Sequence, residues 1–165
     1  MKKLIYFLII IFVLFLVGCT SGNRIGPYGS THSHSDFKVY ILGKPLNFDS
    51  ARYQVMERLT HIENNDGDVL HVHATGITLG FFLKSLGIDL NDECIKLDTG
   101  NEYCNLGKAT LKAYVKSQNT GWVQIYDPAV YVINDLDKML VSYGSESEED
   151  IKEQQASVTD KAITT

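Results

Sequence analysis

The sequence predicts an α+β domain, a mostly antiparallel sheet of short hairpins with one principal helix. Three observations carry that reading. Short stretches of apolar and polar alternation recur between turn signals from about residue 37 to residue 143. Only one stretch, about residues 79–86, combines helical apolar spacing with residues that start and stop a helix. The composition, 44% hydrophobic and 21% charged with 3 prolines in 165 residues, is that of one ordinary globular domain.

Residues 1–18 stand apart from that domain. Lys2 and Lys3 precede a charge-free apolar run, residues 4–17, and then Gly18 and Cys19, which is the grammar of a signal peptide. The run is shorter than the roughly 20 apolar residues that a spanning helix needs. Leu16-Val17-Gly18-Cys19 resembles the lipobox of prokaryotic lipoproteins. That resemblance implies a mature chain that begins at Cys19 and is lipid-anchored to the cell membrane on its extracytoplasmic face. The membrane is then a partner through the lipid, and an envelope protein is a further candidate partner. Without Lys2 and Lys3 the 15 basic side chains fall to 13 against 20 acidic, a formal −7, which argues against nucleic acid as a partner.

Residues 19–31 are polar and rich in glycine and serine, as suits a flexible tether. The domain proper is read as residues 32–144. It opens with a hairpin, alternating residues 37–42 returning through Gly43-Lys44-Pro45 to residues 46–48. Residues 50–58 fit either a helical turn or two or an irregular strand. Residues 59–63 and 69–73 flank Asn64-Asn65-Asp66-Gly67-Asp68, the clearest hairpin signal in the chain. A two-residue Asp66-Gly67 turn would send His61 to the apolar face. A three-residue Asn65-Asp66-Gly67 loop with Gly67 left-handed pairs His61 with His71 and unites Ile62, Leu70 and Val72 on the buried side, so it is favoured.

The helix follows, with Thr78 as N-cap, Ile77 stapled to Phe82, Gly87 past its end and one apolar stripe of Leu79, Phe82, Leu83 and Leu86 that must cover the sheet. Cys94 and Cys104 then flank a second three-residue loop, Asp98-Thr99-Gly100, whose register sets the two cysteines directly opposite and pairs Lys96 with Glu102. A structural disulfide is expected, because a redox pair would more often show Cys-x-x-Cys spacing. Strands are expected at 111–116, 122–126, 130–133 and 138–143. A hairpin, a helix and further strands are compatible with a grasp-like arrangement. Residues 145–165 hold six acids against two lysines and few large apolar groups, and read as an acidic disordered tail.

All five histidines fall between residues 32 and 73: His32, His34, His61, His71 and His73. Two of the pairs are His-x-His, and in a strand residues two apart share a face. His32, His34 and Asp36 oppose Phe37, Val39 and Ile41 in parity, while His71 and His73 oppose Leu70 and Val72, so both sets leave the apolar face. Imidazoles without thiolate suit Zn or Cu, with Asp36 or Glu63 to complete a site. The competing reading is an exposed polar face that happens to carry histidine. Asp135-x-Asp137 reads as a turn before the last strand, and Trp122, Tyr126, Tyr131 and Tyr143 as strand aromatics. Phosphate-loop, dinucleotide, Gly-x-Ser-x-Gly and His-Glu-x-x-His signatures do not occur in the sequence.

The stretches from His32 to Tyr40 (His-x-His-x-Asp-Phe), from Asp66 to Gly80 (Asp-Gly-Asp-x-x-His-x-His-Ala-x-Gly-x-Thr-Leu-Gly) and from Asp135 to Gly144 (Asp-Leu-Asp-x-x-Leu-x-Ser-Tyr-Gly) resemble a group of small exported proteins of archaea and uncultivated bacteria. The resemblance covers about residues 32–144. It implies an exported domain with a histidine motif and no settled reaction. Some members of that group carry a disulfide-isomerase label, from which this chain departs because its Cys94 and Cys104 are spaced as a hairpin staple. The expectation is therefore an anchored lipoprotein that binds a transition metal for sensing, storage or delivery. A metal-free interaction or ligand-binding module of the envelope is the alternative, and a thiol oxidoreductase or metal hydrolase the third.

Overall fold

The structure is a computed structural model and describes residues 24–165. The expected signal peptide, the expected lipidation site Cys19 and the first part of the expected tether lie outside the described residues. The domain is α+β, as expected. Its strands are β1 (Ser33–Ile41), β2 (Lys44–Pro45), β3 (Thr60–His61), β4 (Val69–Val72), β5 (Asp89–Leu90), β6 (Cys94–Lys96), β7 (Glu102–Cys104), β8 (Thr110–Lys116), β9 (Val123–Ile125) and β10 (Lys138–Gly144). Helix α1 spans Leu79–Ser85 and α2 spans Glu148–Ser157.

The main sheet runs β3-β4-β1-β10-β8-β9, with β2 sharing one edge of β1 with β4. Its two central strands, β1 and β10, are parallel, and the other pairings are antiparallel. First hairpin, crossing helix and a last strand returning beside the first is the grasp-like order that the sequence allows. Strands β5-β6-β7 form a separate small sheet.

Side-chain parity divides the main sheet into two faces. On the first, Phe37, Val39, Ile62, Leu70, Val72, Met139 and Val141 are buried beneath α1, with Phe82 of the helix edge-on to Phe37 at 4.9 Å between ring centroids. Thr78 caps α1 by accepting from the Phe81 amide at 3.1 Å, and the Gly87 amide closes the other end on the Lys84 carbonyl with φ +81°. The helix thus stops where the sequence places its cap and its glycine.

The second face carries the corrections. Residues 145–165 were expected to be a disordered tail, yet they form α2 and a 3-10 turn at Lys161–Thr164. Ser147 and Asp150 make a reciprocal capping box, and Ile151 and Val158 pack on Leu140 with Tyr40, Tyr114 and Trp122 around them. Six acids do not prevent folding here, because three of them stand in the first turn of α2, where the helix dipole favours them, and the apolar residues reach an existing sheet. Residues 24–31, expected as part of the tether, are also docked: the Gly26 amide donates to the Thr75 carbonyl and the Gly29 amide to the His73 carbonyl. The stretch 130–133 is not a strand. Pro128–Val130 is a 3-10 turn, which a proline at its first position favours, and Val132 makes only a single bridge to Thr78. Residues 50–58 resolve to a 3-10 turn at Ala51–Tyr53 followed by a bridge from Gln54 to Ile62.

Candidate metal centre

The β3-β4 pairing sets His61 opposite His71, and the β4-β1 pairing sets His71 opposite His34. Three imidazoles therefore stand in one row across three neighbouring strands. One step along the strands, His73 and His32 form a second row with ring centroids 4.8 Å apart. The favoured register of the 64–68 hairpin is observed, but its turn is not the expected one. Asn64 and Asn65 take the left-handed conformation, with φ of 58° and 56°, and Asp66 donates its amide to the Glu63 carbonyl, which is the geometry of a type I′ hairpin turn. Gly67 is required for a different reason. A Cβ there would lie 2.5 Å from the Phe48 carbonyl carbon and 2.6 Å from the Asp49 nitrogen.

The five rings make one continuous patch. His34 and His32 approach Nε2 to Nε2 at 3.1 Å, His34 and His71 meet edge to face at 4.5 Å between centroids, and His61 lies 4.9 Å from His73 and 5.7 Å from His71. One donor atom from each of His32, His34 and His71 can be chosen so that all three lie within 4.8 Å of one another, a group that could hold a metal ion. Two nitrogens on one tetrahedral Zn lie about 3.3 Å apart, given Zn–N bonds of about 2.05 Å, so the His32–His34 spacing already suits an ion.

The histidine face was expected to be open to water, and in part it is not. His71 is 5% exposed and His61 8%, whereas His32 is exposed and His34 and His73 are half-buried. Burial drives the His71 imidazole down to about 4, and it also lowers His34 and His73, so these three rings favour the neutral, metal-ligating form. Glu63 faces the row from the β3 end, with Oε2 3.3 Å from His61 Nε2 and Oε1 3.8 Å from His71 Nε2.

Asp36 was a candidate ligand, and the structure removes it from the patch. Its side chain has the expected parity, but the chain terminus covers it: the carboxylate accepts from the Thr159 hydroxyl and from the amides of Lys161 at 3.0 Å and Ala162 at 3.2 Å. Asp137 is likewise committed, fully buried and accepting from Ser117, Tyr131 and Asn134. Its neighbour Asp135 fixes the backbone of the site by accepting from the His34 amide at 3.1 Å. Cys94 and Cys104 are directly paired on β6 and β7 and form the expected disulfide, on the small sheet and not in the patch.

Three residues that sequence reasoning passed over border the histidines. The Tyr28 ring lies 5.6 Å from that of His73, the Arg58 guanidinium stacks 4.1 Å over Tyr28, and the Glu57 carbonyl lies 3.0 Å from His61 Nδ1. A signal for Tyr28 existed: with Ile25 it is one of two large apolar residues in an otherwise polar segment. The chain as a whole matches no protein-family model, no curated protein and no solved structure.

Proposed function

We propose that this chain is a lipid-anchored, extracytoplasmic protein that binds Zn(II) or Cu(II) through its histidine patch and holds it exchangeably, for sensing, storage or delivery at the cell envelope. The observation that carries the reading is the convergence of His32, His34 and His71 from two strands to within 4.8 Å, with a neutral imidazole at the buried position. Nitrogen donors with a nearby carboxylate and no thiolate favour these two ions over Cu(I). The gradient from exposed His32 to buried His71 supports exchange, since an ion there has one side toward solvent. The apolar core lies under α1 on the opposite face of the sheet, which separates this patch from a metal that holds a core together. The signal-peptide grammar and the Cys94–Cys104 disulfide both favour an oxidising compartment.

Elemental analysis of protein extracted from membranes without chelator tests the proposal. Zinc or copper is expected at one or more ions per chain, and His34→Ala with His71→Ala is expected to weaken rebinding at least about 100-fold while the circular dichroism spectrum is retained. Metal-free protein with an unchanged affinity in the double variant would sink the proposal and leave a metal-free envelope module as the better reading.

A further inference from the structure

The Glu63 end of the patch has a donor arrangement of its own. A carbonyl oxygen can only accept, so the 3.0 Å contact between His61 Nδ1 and the Glu57 carbonyl puts the ring proton on Nδ1. His61 Nε2 then faces a carboxylate oxygen, Glu63 Oε2, only 3.3 Å away. Either a proton or a metal ion on Nε2 can join this pair, and a metal ion would take both His61 and Glu63 as ligands. The second Glu63 oxygen faces His71 Nε2 at 3.8 Å, so three donors from β3, its extension and β4 converge there. A histidine whose other nitrogen donates to a backbone carbonyl is also the usual outer-shell arrangement of a metal ligand, fixing both tautomer and ring orientation.

We propose that His61 and Glu63, with His71, form a second ion position beside the one at His32 and His34, so that the patch binds two divalent ions. The inference rests on the metal-binding reading and extends it. Six donors in one patch exceed the four that a tetrahedral ion uses. His71 stands in the middle of the row His61–His71–His34, within reach of either ion, and His73 neighbours both ends, 4.8 Å from His32 and 4.9 Å from His61 between centroids. With both positions filled, His71 serves the Glu63 ion, toward which its Nε2 is already turned, and His73 joins His32 and His34. With a single ion bound, His71 completes the His32–His34 group. Its two allegiances link the position at exposed His32 to the one at buried His61 and half-exposed Glu63.

Equilibrium dialysis of the metal-stripped full chain against Zn(II), read by elemental analysis, tests the inference. Two ions per chain are expected, falling to one in Glu63→Gln with His61→Ala and to one in His32→Ala with His34→Ala. Glu63→Gln alone, at a half-exposed side chain that the fold does not need, is expected to weaken the second equivalent at least tenfold and leave the first unchanged. One ion per chain in the unaltered protein, or two that Glu63→Gln does not affect, would overturn the second position while the metal-binding proposal stands. No bound zinc or copper at all would overturn both.

Discussion

The hairpins β3-β4 and β6-β7 are built to one plan and end with opposite chemistry. In each, reactive side chains face one another across a short antiparallel pair, His61 against His71 in one and Cys94 against Cys104 in the other. The cysteines have consumed each other in a covalent bond. The imidazoles have nothing comparable to form and remain a set of nitrogen donors under partial burial. Cross-strand pairing delivers residues to a common point, and the residue type then decides whether that point becomes a covalent staple or a cluster of nitrogen donors. The turns differ as well. Gly100 is left-handed, with φ +89°, as its loop demands, whereas in the other hairpin two asparagines take the left-handed positions and Gly67 serves close packing.

The pH dependence of stability should separate the two hairpins most strongly. The folded-state value of His71 lies near 4, below the unfolded 6.5, so the unfolded chain binds more protons between these values. Stability without metal is therefore expected to fall as pH drops from about 6.5 to about 4, by about 3 kcal/mol at most from this group, and no further below. Urea denaturation across that window checks it. His71→Phe, which keeps a ring in the row, should flatten the limb, and a limb of unchanged size in that variant would assign the effect elsewhere.

A somewhat smaller loss is expected on the other side. Cys94→Ser with Cys104→Ser removes a short covalent loop and should lower stability by about 2 to 3 kcal/mol in the loop-entropy model. Calorimetry reads the shift, and zinc binding measured alongside should be unchanged. A parallel loss of metal would show that the small sheet supports the patch, contrary to their separation in the structure.

The smallest contrast lies in the two glycines. Gly100→Ala meets open space and only a backbone penalty, about 1 kcal/mol for an L-residue at positive φ. Gly67→Ala drives a Cβ into the backbone of Phe48 and Asp49 and should cost about 2 to 3 kcal/mol, as overpacking does. Equal penalties measured by chemical denaturation would mean that the turn at 64–68 relaxes where the structure has it fixed.

Those two glycines also mark how far the sequence could be read. Register followed from pairing Ile62 with Leu70 on the buried side, and it holds whichever residue makes the turn. Face followed from parity, which put every histidine opposite the apolar core. Coverage did not follow, because what lies over a strand's outer face depends on distant segments. Asp36 has the parity of a ligand and is occupied by residues 159–162, more than a hundred positions later in the chain. The capping-box pattern Ser147-x-x-Asp150 and the spacing of Ile151 and Val158 were available clues to α2, outweighed by its acidic composition. Burial of His61 and His71 was equally hidden, since imidazoles from separate segments pack on one another, His71 against His34 and His61 against His73, contacts that no local pattern encodes.

The parallel pairing of β1 with β10 has a consequence for the order in which this molecule is made. Asp36 pairs with Lys138 and Ile41 with Tyr143, so the two central strands are roughly 100 residues apart in the chain. Every histidine of the patch is synthesised by residue 73, yet the strand carrying His34 lacks its inner neighbour until residues 138–144 have emerged. Closing so long a loop is entropically unfavourable and slow. During that interval the histidines lie on a nascent chain without a finished sheet beneath them, and the assembled histidine patch is one of the last features to mature.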